Sequence, residues 1–217
     1  MTPFELAKFI DHTLLAPEAT AQDIVKLCEE ANEMKVAAVC ISPSLLPIPS
    51  GVLSGEIALA CVTGFPSGAH TAATKAFEAA RAVEHGATEI DMVVNLGFVF
   101  GSMWLELGDE ISKVRKSISK SAKLKVIIES AALTDDQIVM SCRVAVANGA
   151  NFVKTSTGFH KSGGATVHAV QLMRATVGDS IGVKASGGIR TRESALEMID
   201  AGASRLGTSA TKIILAG

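Results

Sequence analysis

The sequence predicts an α/β protein that folds as a single (β/α)8 TIM barrel with a short N-terminal helix. Eight short apolar runs alternate with stretches of helical spacing along the 217 residues. No linker, charge block or low-complexity segment interrupts them, so one domain over residues 1–217 is expected. An open doubly wound sheet is the main alternative, but the G-x-G-x-x-G turn expected after its first strand is missing.

The apolar runs are short and rich in β-branched residues, as buried strands are. The predicted strands cover residues 9–13, 36–41, 57–63, 89–95 and 124–129, two runs around Lys154 and Lys184, and residues 205–207. Between them, apolar residues recur at helical spacing. The predicted helices cover residues 2–8, 20–34, 72–85, 102–121, 134–148, 166–177, 191–201 and 208–215. Pro47 and Pro49 leave room for only a short helix in residues 44–53.

Local signals mark where several of these helices begin and end. Thr134 and Gln137 have the spacing of a capping box, in which each side chain bonds the other residue's backbone N–H. Gly86, Gly149 and Gly202 directly follow helical stretches and are expected to end them. The helices are therefore predicted to be separate units between the strands.

Composition narrows the class of protein. Hydrophobic residues make up 48%, charged residues 19%, and the formal net charge is -2, so a folded core is favoured and no nucleic-acid or membrane partner is expected. No apolar run is long enough to cross a bilayer and no signal peptide is evident, which predicts a cytoplasmic location. The widely spaced cysteines are expected to be reduced thiols, and neither they nor the histidines predict a metal or other cofactor.

Three strand-like runs carry charged residues where buried strands normally have none. Lys154, Lys184 and Asp91 each lie within such a run. Because side chains alternate along a strand, Asp91 is predicted to point into the barrel together with Val93, and Lys184 together with Ser186. If Lys154 also points inward, the two lysines converge on the interior from adjacent strands.

This convergence has a chemical consequence. Two ammonium groups that are close together and partly shielded from water lower a lysine pKa. A lysine that is uncharged near neutral pH is the nucleophile that forms a Schiff base with a carbonyl. Asp91 is expected to balance the remaining charge and to move protons, directly or through a water. Cleavage of the carbon–carbon bond beside the resulting iminium is aldolase chemistry.

Other interpretations of the same residues stay open. A lone lysine in an apolar run is more often a snorkelling or edge-strand residue than a nucleophile. A structural Lys–Asp salt bridge is the alternative for the whole set. A phosphosugar isomerase or epimerase and a non-catalytic phosphosugar-binding protein are the alternative functions, although the first leaves the paired lysines unexplained.

Glycine-rich segments after the last two strands predict a phosphate site. Barrel enzymes often hold phosphate with the loops after strands seven and eight. Gly187 and Gly188 follow the seventh predicted strand, and Thr208 and Ser209 follow the eighth. Both segments are expected to precede helices, whose free N–H groups and dipole favour an anion. A phosphorylated small-molecule substrate is therefore predicted.

Several other residues are weaker candidates. Asp11 and His12, on the first strand, are expected within reach of a substrate hydroxyl, although Asp11 also suits a capping or pairing role. Cys40, which ends the second strand, suits a small core residue or a thiol beside the substrate. Glu129 is expected to share an inner polar layer with Lys125. The histidines have no recognisable partners in the sequence.

Four motifs resemble those of the class I deoxyribose-phosphate aldolases. They are Asp11-His12-Thr13-Leu14-Leu15, Glu89-Ile90-Asp91-Met92-Val93-Val94-Asn95, Phe152-Val153-Lys154-Thr155-Ser156-Thr157-Gly158 and Val183-Lys184-Ala185-Ser186-Gly187-Gly188-Ile189-Arg190. They stand in the family's order over nearly the whole chain, and the two lysine motifs together are highly specific. The resemblance implies reversible, metal-independent cleavage of 2-deoxy-D-ribose 5-phosphate to D-glyceraldehyde 3-phosphate and acetaldehyde, in deoxyribonucleotide catabolism.

The resemblance also implies roles for individual residues. Lys154 matches the Schiff-base lysine, Lys184 the second lysine that lowers its pKa, and Asp91 the aspartate of the proton relay. The predicted substrate-binding residues are Asp11, Cys40, Thr157, Gly158, Gly187, Gly188, Thr208 and Ser209. The implied partners are a small phosphosugar and aldehydes, and a homodimer is often the family's assembly.

The chain departs from some relatives at two points. Phe159 follows the Thr-Ser-Thr-Gly motif where some relatives have a lysine, so phosphate binding is expected to rest on backbone N–H groups or on Lys161. Some relatives also end in a tail whose terminal tyrosine assists proton transfer. This chain has no tyrosine and stops at Gly217, so a slower turnover with intact imine chemistry is expected.

Overall fold

Eight parallel strands close into a barrel in the computed structural model, which describes residues 1–217. Each strand pairs with its neighbours in chain order, and the eighth pairs with the first. The strands are β1 Ile10–Leu14, β2 Ala38–Ile41, β3 Ala58–Thr63, β4 Glu89–Val93, β5 Lys123–Ile127, β6 Phe152–Lys154, β7 Gly182–Ser186 and β8 Arg205–Thr208. The predicted (β/α)8 barrel is confirmed.

Helices surround the barrel and connect its strands. They are α1 Pro3–Ala7, α2 Ala21–Met34, α3 Ala72–Glu84, α4 Leu96–Phe100, α5 Trp104–Ser117, α6 Asp135–Ala147, α7 Val167–Val177, α8 Arg192–Asp200 and α9 Thr211–Ala216. Short 3₁₀ turns cover Pro43–Leu45 and Ser130–Ala132. None of the helices combines the length and the apolar character that crossing a membrane requires.

Capping boxes fix where α2 and α6 begin. The Thr134 side chain accepts a hydrogen bond from the Gln137 N–H, and the Gln137 side chain accepts one from the Thr134 N–H, as predicted. Thr20 and Asp23 form the same reciprocal pair at the start of α2. Each pair satisfies backbone N–H groups that have no partner inside the helix.

The strand pleat separates an outer apolar layer from the barrel interior. Ile90 of β4 and Val183 of β7 point outward, belong to the core between strands and helices, and are fully buried. Asp91 and Lys184, the next residues along these strands, point inward. Burial of the outer layer stabilises the fold by roughly 25 cal/mol per Å² of apolar surface, and it fixes which side chains face the interior.

The segment after β4 differs from the prediction. Residues 94 and 95 were expected to continue the strand, and residues 96–100 were assigned to no helix. Instead β4 ends at Val93, and the side chain of Asn95 accepts a hydrogen bond from the Gly97 N–H and starts α4. The Val94 N–H still pairs with the Ile127 carbonyl oxygen at 3.1 Å, and the next N–H, that of Asn95, bonds the Glu110 carboxylate instead of a strand.

Two further boundaries differ from the prediction. The fifth strand ends at Ile127, and Glu129 has a φ of 58°, a left-handed conformation in which a strand cannot continue. The last helix begins at Thr211 and not at residue 208, because Thr208 is still the final residue of β8. The segment around Ser209 is therefore a loop between strand and helix.

A buried ion pair lies outside the barrel, between α3 and α5. Lys75 and Glu110 contact each other and are almost completely inaccessible to solvent. Lys75 also donates to the carbonyl oxygen of Val93 at 2.7 Å, and Glu110 accepts from the Asn95 N–H at 3.1 Å. The pair therefore satisfies two backbone groups where β4 ends, just beyond the Asp91 position.

Replacing Lys75 by methionine is expected to destabilise the fold strongly. The change leaves the Glu110 carboxylate buried without its cation, a loss of about 3–5 kcal/mol in the free energy of unfolding. The double variant K75M/E110L removes both charges and should lose less than K75M alone. Urea denaturation measures both, and a double variant less stable than the single one would contradict this account.

Candidate active site

The barrel interior carries seven charged side chains, although charged residues are rarely buried so deeply. The cations are Lys125, Lys154, Lys184 and Arg205, and the carboxylates are Asp11, Glu89 and Asp91. They come from β1, β4, β5, β6, β7 and β8. Hydrogen bonds and ion pairs among them replace the water contacts that they lose on folding.

Asp91 lies at the centre of this cluster. Its Oδ2 atom accepts hydrogen bonds from Lys154 Nζ at 2.8 Å and from Lys184 Nζ at 2.7 Å. Its Oδ1 atom accepts one from Lys125 Nζ at 2.5 Å. Lys154 and Lys184 are direct partners across the β6–β7 pairing, so their ammonium groups meet at one carboxylate oxygen. The structure thus brings together the two lysines and the aspartate that the sequence singled out.

Asp11 and Glu89 complete the network towards the N-terminal ends of the strands. Asp11 contacts Lys184, and it accepts a hydrogen bond from Arg205 Nη1 at 2.6 Å. Glu89 lies 2.7 Å from Lys125 Nζ and 3.3 Å from Arg205 Nη1. Asp11 is therefore a pairing residue, and its three cationic partners are Lys184, Arg205 and Lys125.

Sequence reasoning missed Glu89 and Arg205 as members of the site. Strand alternation could have found Glu89, which stands two residues before Asp91 on the same face of β4. Arg205 stands two residues before Gly207, where a Cβ atom would lie 3.0 Å from Lys184 Cε. Gly207 thus leaves room for the Lys184 side chain, and its position marks the interior face of β8.

Lys154 gives up its proton more readily than an ordinary lysine. Burial is the largest cause of its lowered pKa, because the charged amine is poorly solvated. Asp91 acts in the opposite direction, since it stabilises the charged form, and Lys184 lowers the pKa further by repulsion. The expected influence of Lys184 is therefore present, but burial contributes more.

Lys184, Lys125 and Asp91 keep their charges. Burial disfavours the charge on Lys184, but Asp11 and Asp91 outweigh it and raise the pKa of Lys184. The three surrounding carboxylates raise the pKa of Lys125 in the same way. Burial would raise the pKa of Asp91, but the three surrounding lysines hold it well below its usual value. Lys154 is therefore the lysine of the cluster that is most easily neutralised.

The interior face of β2 and β3 is apolar. Cys40 packs with Ala60 and Val62 in a small buried cluster. Burial raises the pKa of the Cys40 thiol, so it stays neutral beside the charged groups. Cys40 and Asp11, both predicted to bind substrate, lie inside the barrel and do not line the cavity above it.

A cavity of about 430 Å³ opens at the C-terminal ends of the strands, where barrel enzymes place their sites. Six predicted substrate-binding residues line it, namely Thr157, Gly158, Gly187, Gly188, Thr208 and Ser209. Of the seven charged interior residues, only Lys154 reaches the lining, with 3% of its surface exposed. The structure therefore places one amine of lowered pKa at the floor of the cavity.

Backbone segments from two loops meet at the cavity wall. Gly158 and Gly187 have φ values of 85° and 84°, which L residues rarely adopt. A Cβ atom at Gly187 would also lie 3.2 Å from the Cα atom of Gly158. Glycine is therefore needed at these positions both for backbone conformation and for close approach.

Glu129 holds the loop that follows β6. Its carboxylate accepts hydrogen bonds from the Thr157 N–H at 3.1 Å and from the Thr157 hydroxyl at 2.6 Å. The prediction that Glu129 joins Lys125 in the inner layer was wrong, because β5 ends before Glu129 and its backbone turns away. Lys125 does lie in the inner layer. Glu129 instead fixes Thr157 beside the cavity.

The wall beyond Gly158 is aromatic. Phe159 lines the cavity, is 54% exposed, and packs edge-on against Phe65 with ring centroids 5.3 Å apart. Lys161, one expected source of positive charge, is exposed and does not line the cavity. Arg190 lines it and supplies a cation from the loop after β7.

The expectation that the histidines lack partners is wrong for His12. Its Nδ1 atom lies 2.8 Å from Thr211 Oγ1, and its Nε2 atom lies 3.2 Å from Glu30 Oε2. His12 therefore points outward from β1 and links it to α2 and α9, away from the cavity. His168 also has a partner, the surface residue Asp135, at 2.9 Å.

No cluster of three or more His, Cys, Asp or Glu side chains is arranged to hold a metal ion.

Fold and site together describe a barrel enzyme with a candidate lysine nucleophile. The family model described as DeoC/LacD family aldolase matches residues 6–212. The chain belongs to this family, and the resemblance that its lysine motifs indicated is confirmed.

Individual relatives agree with this assignment. The chain is 53% identical over 219 residues to a deoxyribose-phosphate aldolase of Kocuria rhizophila, covering 100% of this chain and 98% of that protein. It is 53% identical to one of Nocardia farcinica, covering 100% and 96%. A deoxyribose phosphate aldolase structure from Aeropyrum pernix, described as a unique tetramer, superposes with a TM-score of 0.90 at 33% identity, covering 99% of this chain and 91% of that one.

The stability contributed by Asp11 is expected to depend on pH. Burial would raise its pKa, but the neighbouring cations, Lys184 first, hold it below its usual value. Its contribution is therefore complete above the unfolded-state pKa of about 3.9, and it is lost as the pH falls through the lower folded-state pKa. Asp11→Asn should destabilise the protein most at neutral pH.

Urea denaturation of both proteins from neutral to strongly acidic pH measures this difference in the free energy of unfolding. The difference should shrink below about pH 4, where the unfolded-state carboxyl becomes protonated. A difference that stays constant over the whole range would contradict the proposed ionisation of Asp11.

Proposed function

We propose that the chain is a Schiff-base aldolase that reversibly cleaves 2-deoxy-D-ribose 5-phosphate to D-glyceraldehyde 3-phosphate and acetaldehyde. The observation that carries the proposal is Lys154, which combines burial, a lowered pKa and a position on the cavity floor. Membership of an aldolase family and the substrate in the names of the similar proteins support the choice of reaction.

Lys154 is the proposed nucleophile. Its neutral amine attacks the C1 carbonyl of the open-chain sugar, and loss of water gives an iminium. Removal of the C3 hydroxyl proton then breaks the C2–C3 bond, whose electron pair moves towards the iminium and forms an enamine. D-glyceraldehyde 3-phosphate leaves, C2 of the enamine takes up a proton, and hydrolysis releases acetaldehyde and restores the amine.

Lys184 and Asp91 are the proposed partners of this amine. Lys184 stays charged and disfavours a proton on Lys154. The Asp91 carboxylate accepts hydrogen bonds from both amines and so fixes their positions. Because its pKa is well below the usual value, Asp91 is a carboxylate when substrate binds, and we assign it the relay of protons through a water.

The phosphate of the substrate is proposed to bind at the cavity wall. Gly158, Gly187, Gly188 and Ser209 contribute backbone surface there, and Arg190 contributes a positive charge. Thr157 and Thr208 fix the loops, the former through Glu129 and the latter by donating to the Ile189 carbonyl oxygen at 2.8 Å. The volume of about 430 Å³ suits a small phosphosugar.

Neither alternative function has comparable support. An isomerase needs a carboxylate held against the substrate, but Asp11, Glu89 and Asp91 are paired with cations below the cavity. Glu18 does line the cavity, but it is exposed to solvent and does not belong to the buried cluster. A protein that only binds phosphosugars has no use for a buried amine with a lowered pKa. The paired lysines therefore favour the aldolase over both.

The wider setting is also part of the proposal. We infer a single-domain cytoplasmic enzyme of deoxyribonucleotide catabolism that uses no metal or other cofactor. Self-association is supported by the relative from Aeropyrum pernix, whose structure is described as tetrameric. The predicted homodimer remains a prediction for this chain.

Borohydride reduction in the presence of acetaldehyde is expected to label Lys154. The amine forms an imine with the aldehyde, and reduction turns the imine into a stable two-carbon adduct that peptide mass spectrometry locates. The Lys154→Arg variant should lose both the adduct and the cleavage of 2-deoxy-D-ribose 5-phosphate, because arginine keeps its charge and cannot form the imine.

Lys113→Arg, an exposed lysine on α5, is the matched control and should keep the adduct and the activity. Folding of each variant is checked by circular dichroism. A folded wild-type protein without an adduct on Lys154, or a Lys154→Arg variant that still cleaves the sugar, would refute the proposed function.

A further inference from the structure

The charges inside the barrel do not balance. Four cationic side chains face three carboxylates, so the interior has one surplus positive charge when every group is ionised. Deprotonation of one lysine makes the interior neutral. A buried net charge is costly in a region of low dielectric, so the interior as a whole favours the loss of one proton.

The contacts show which lysine carries the surplus. Lys125 lies within 3.5 Å of all three carboxylates. Lys184 contacts two of them, and Arg205 also contacts two. Lys154 contacts Asp91 alone, at 2.8 Å, and it shares that carboxylate with two other lysines. Lys154 is therefore the least compensated cation in the interior.

We propose that Arg205 and Glu89 are positioning residues that select Lys154 as the neutral amine. Arg205 supplies the surplus positive charge of the interior, and the negative charge of Glu89 keeps that surplus at one. This inference rests on the proposed Schiff-base function. Neither residue lines the cavity, and each is the first residue of its strand, at the end of the barrel away from the substrate. Their effect must therefore pass through the network.

The path from Arg205 to Lys154 runs through two carboxylates. Arg205 pairs with Asp11, which also contacts Lys184. Without Arg205, Asp11 has only lysines left as partners and draws Lys184 away from Asp91. Asp91 then compensates Lys154 more fully, and Lys154 holds its proton more tightly.

No other titratable group on the interior face alters this balance. The remaining one is Cys40 of β2, which is kept neutral by burial, and β3 contributes only apolar side chains. Lys123 approaches Glu89 at 3.7 Å, but its side chain is half exposed, so water screens its charge. Beneath Arg205 lies the ring of Phe152, 5.6 Å away, which carries no charge.

The test uses the pH dependence of imine formation, measured as the rate at which borohydride traps the acetaldehyde adduct. This rate rises with pH as Lys154 loses its proton. Arg205→Gln should move the rise to higher pH by on the order of one unit, so that trapping on the rising limb is about tenfold slower and recovers at alkaline pH. Glu89→Gln should move the rise to lower pH.

Two further variants distinguish an effect of the removed charge from structural damage caused by the substitution. The double variant R205Q/E89Q restores one surplus cation and should return the rise towards its wild-type position. Arg205→Lys keeps the positive charge, so its trapping rate should rise at nearly the same pH as that of the wild type. Shifts of opposite sign that cancel in the double variant are not expected from a merely structural role.

Each outcome decides the proposal. If folded Arg205→Gln, Glu89→Gln and the double variant all show the wild-type pH dependence, the inference is overturned, while an adduct on wild-type Lys154 still supports the aldolase. The inference is also overturned if adduct trapping in Arg205→Gln is slow at every pH and does not recover at alkaline pH. If Arg205→Gln fails to fold, Glu89→Gln alone tests the proposal. A trapping rate that rises at lower pH than in the wild type supports it, and an unchanged pH dependence overturns it.

Discussion

The carboxylate of Asp91 is the group on which the rest of the site depends. Three lysines from three neighbouring strands donate hydrogen bonds to its two oxygen atoms. Without this anion, the lysines would repel one another in a space that excludes water. Asp91 therefore makes the buried amines compatible with folding, and it leaves Lys154 with so little compensation that its proton is easily lost.

The barrel explains how these groups can meet. Parallel strands place alternate residues inside, and closure of the sheet brings β8 beside β1, so that Arg205 reaches Asp11 although they lie 194 positions apart in the chain. The outer helices bury the apolar faces of the strands and leave the inner faces free for charge. The apolar cluster of Cys40, Ala60 and Val62 closes one side of the interior against water. Stability and chemistry are thus supplied by opposite faces of the same strands.

Sequence reasoning succeeded where the information is local. Strand runs, helix caps and the alternation that turns Asp91 and Lys184 inward depend on residues a few positions apart, and they were predictable. The partners of Arg205 and Glu89 were not, because they depend on barrel closure and on side-chain reach across it. The role of Glu129 was missed for another reason: its left-handed backbone, which no local pattern signals, turns its carboxylate to Thr157.

The most direct test of this account is the pKa of Lys154 itself. NMR titration of protein labelled with carbon-13 at the lysine ε-carbons follows each amine, and the Lys154→Arg variant identifies the resonance that disappears. The account predicts that this resonance titrates below the ordinary lysine value of about 10.4, while those of Lys125 and Lys184 titrate above it. A Lys154 resonance that titrates at or above the ordinary value would contradict the claim that the buried charges release its proton.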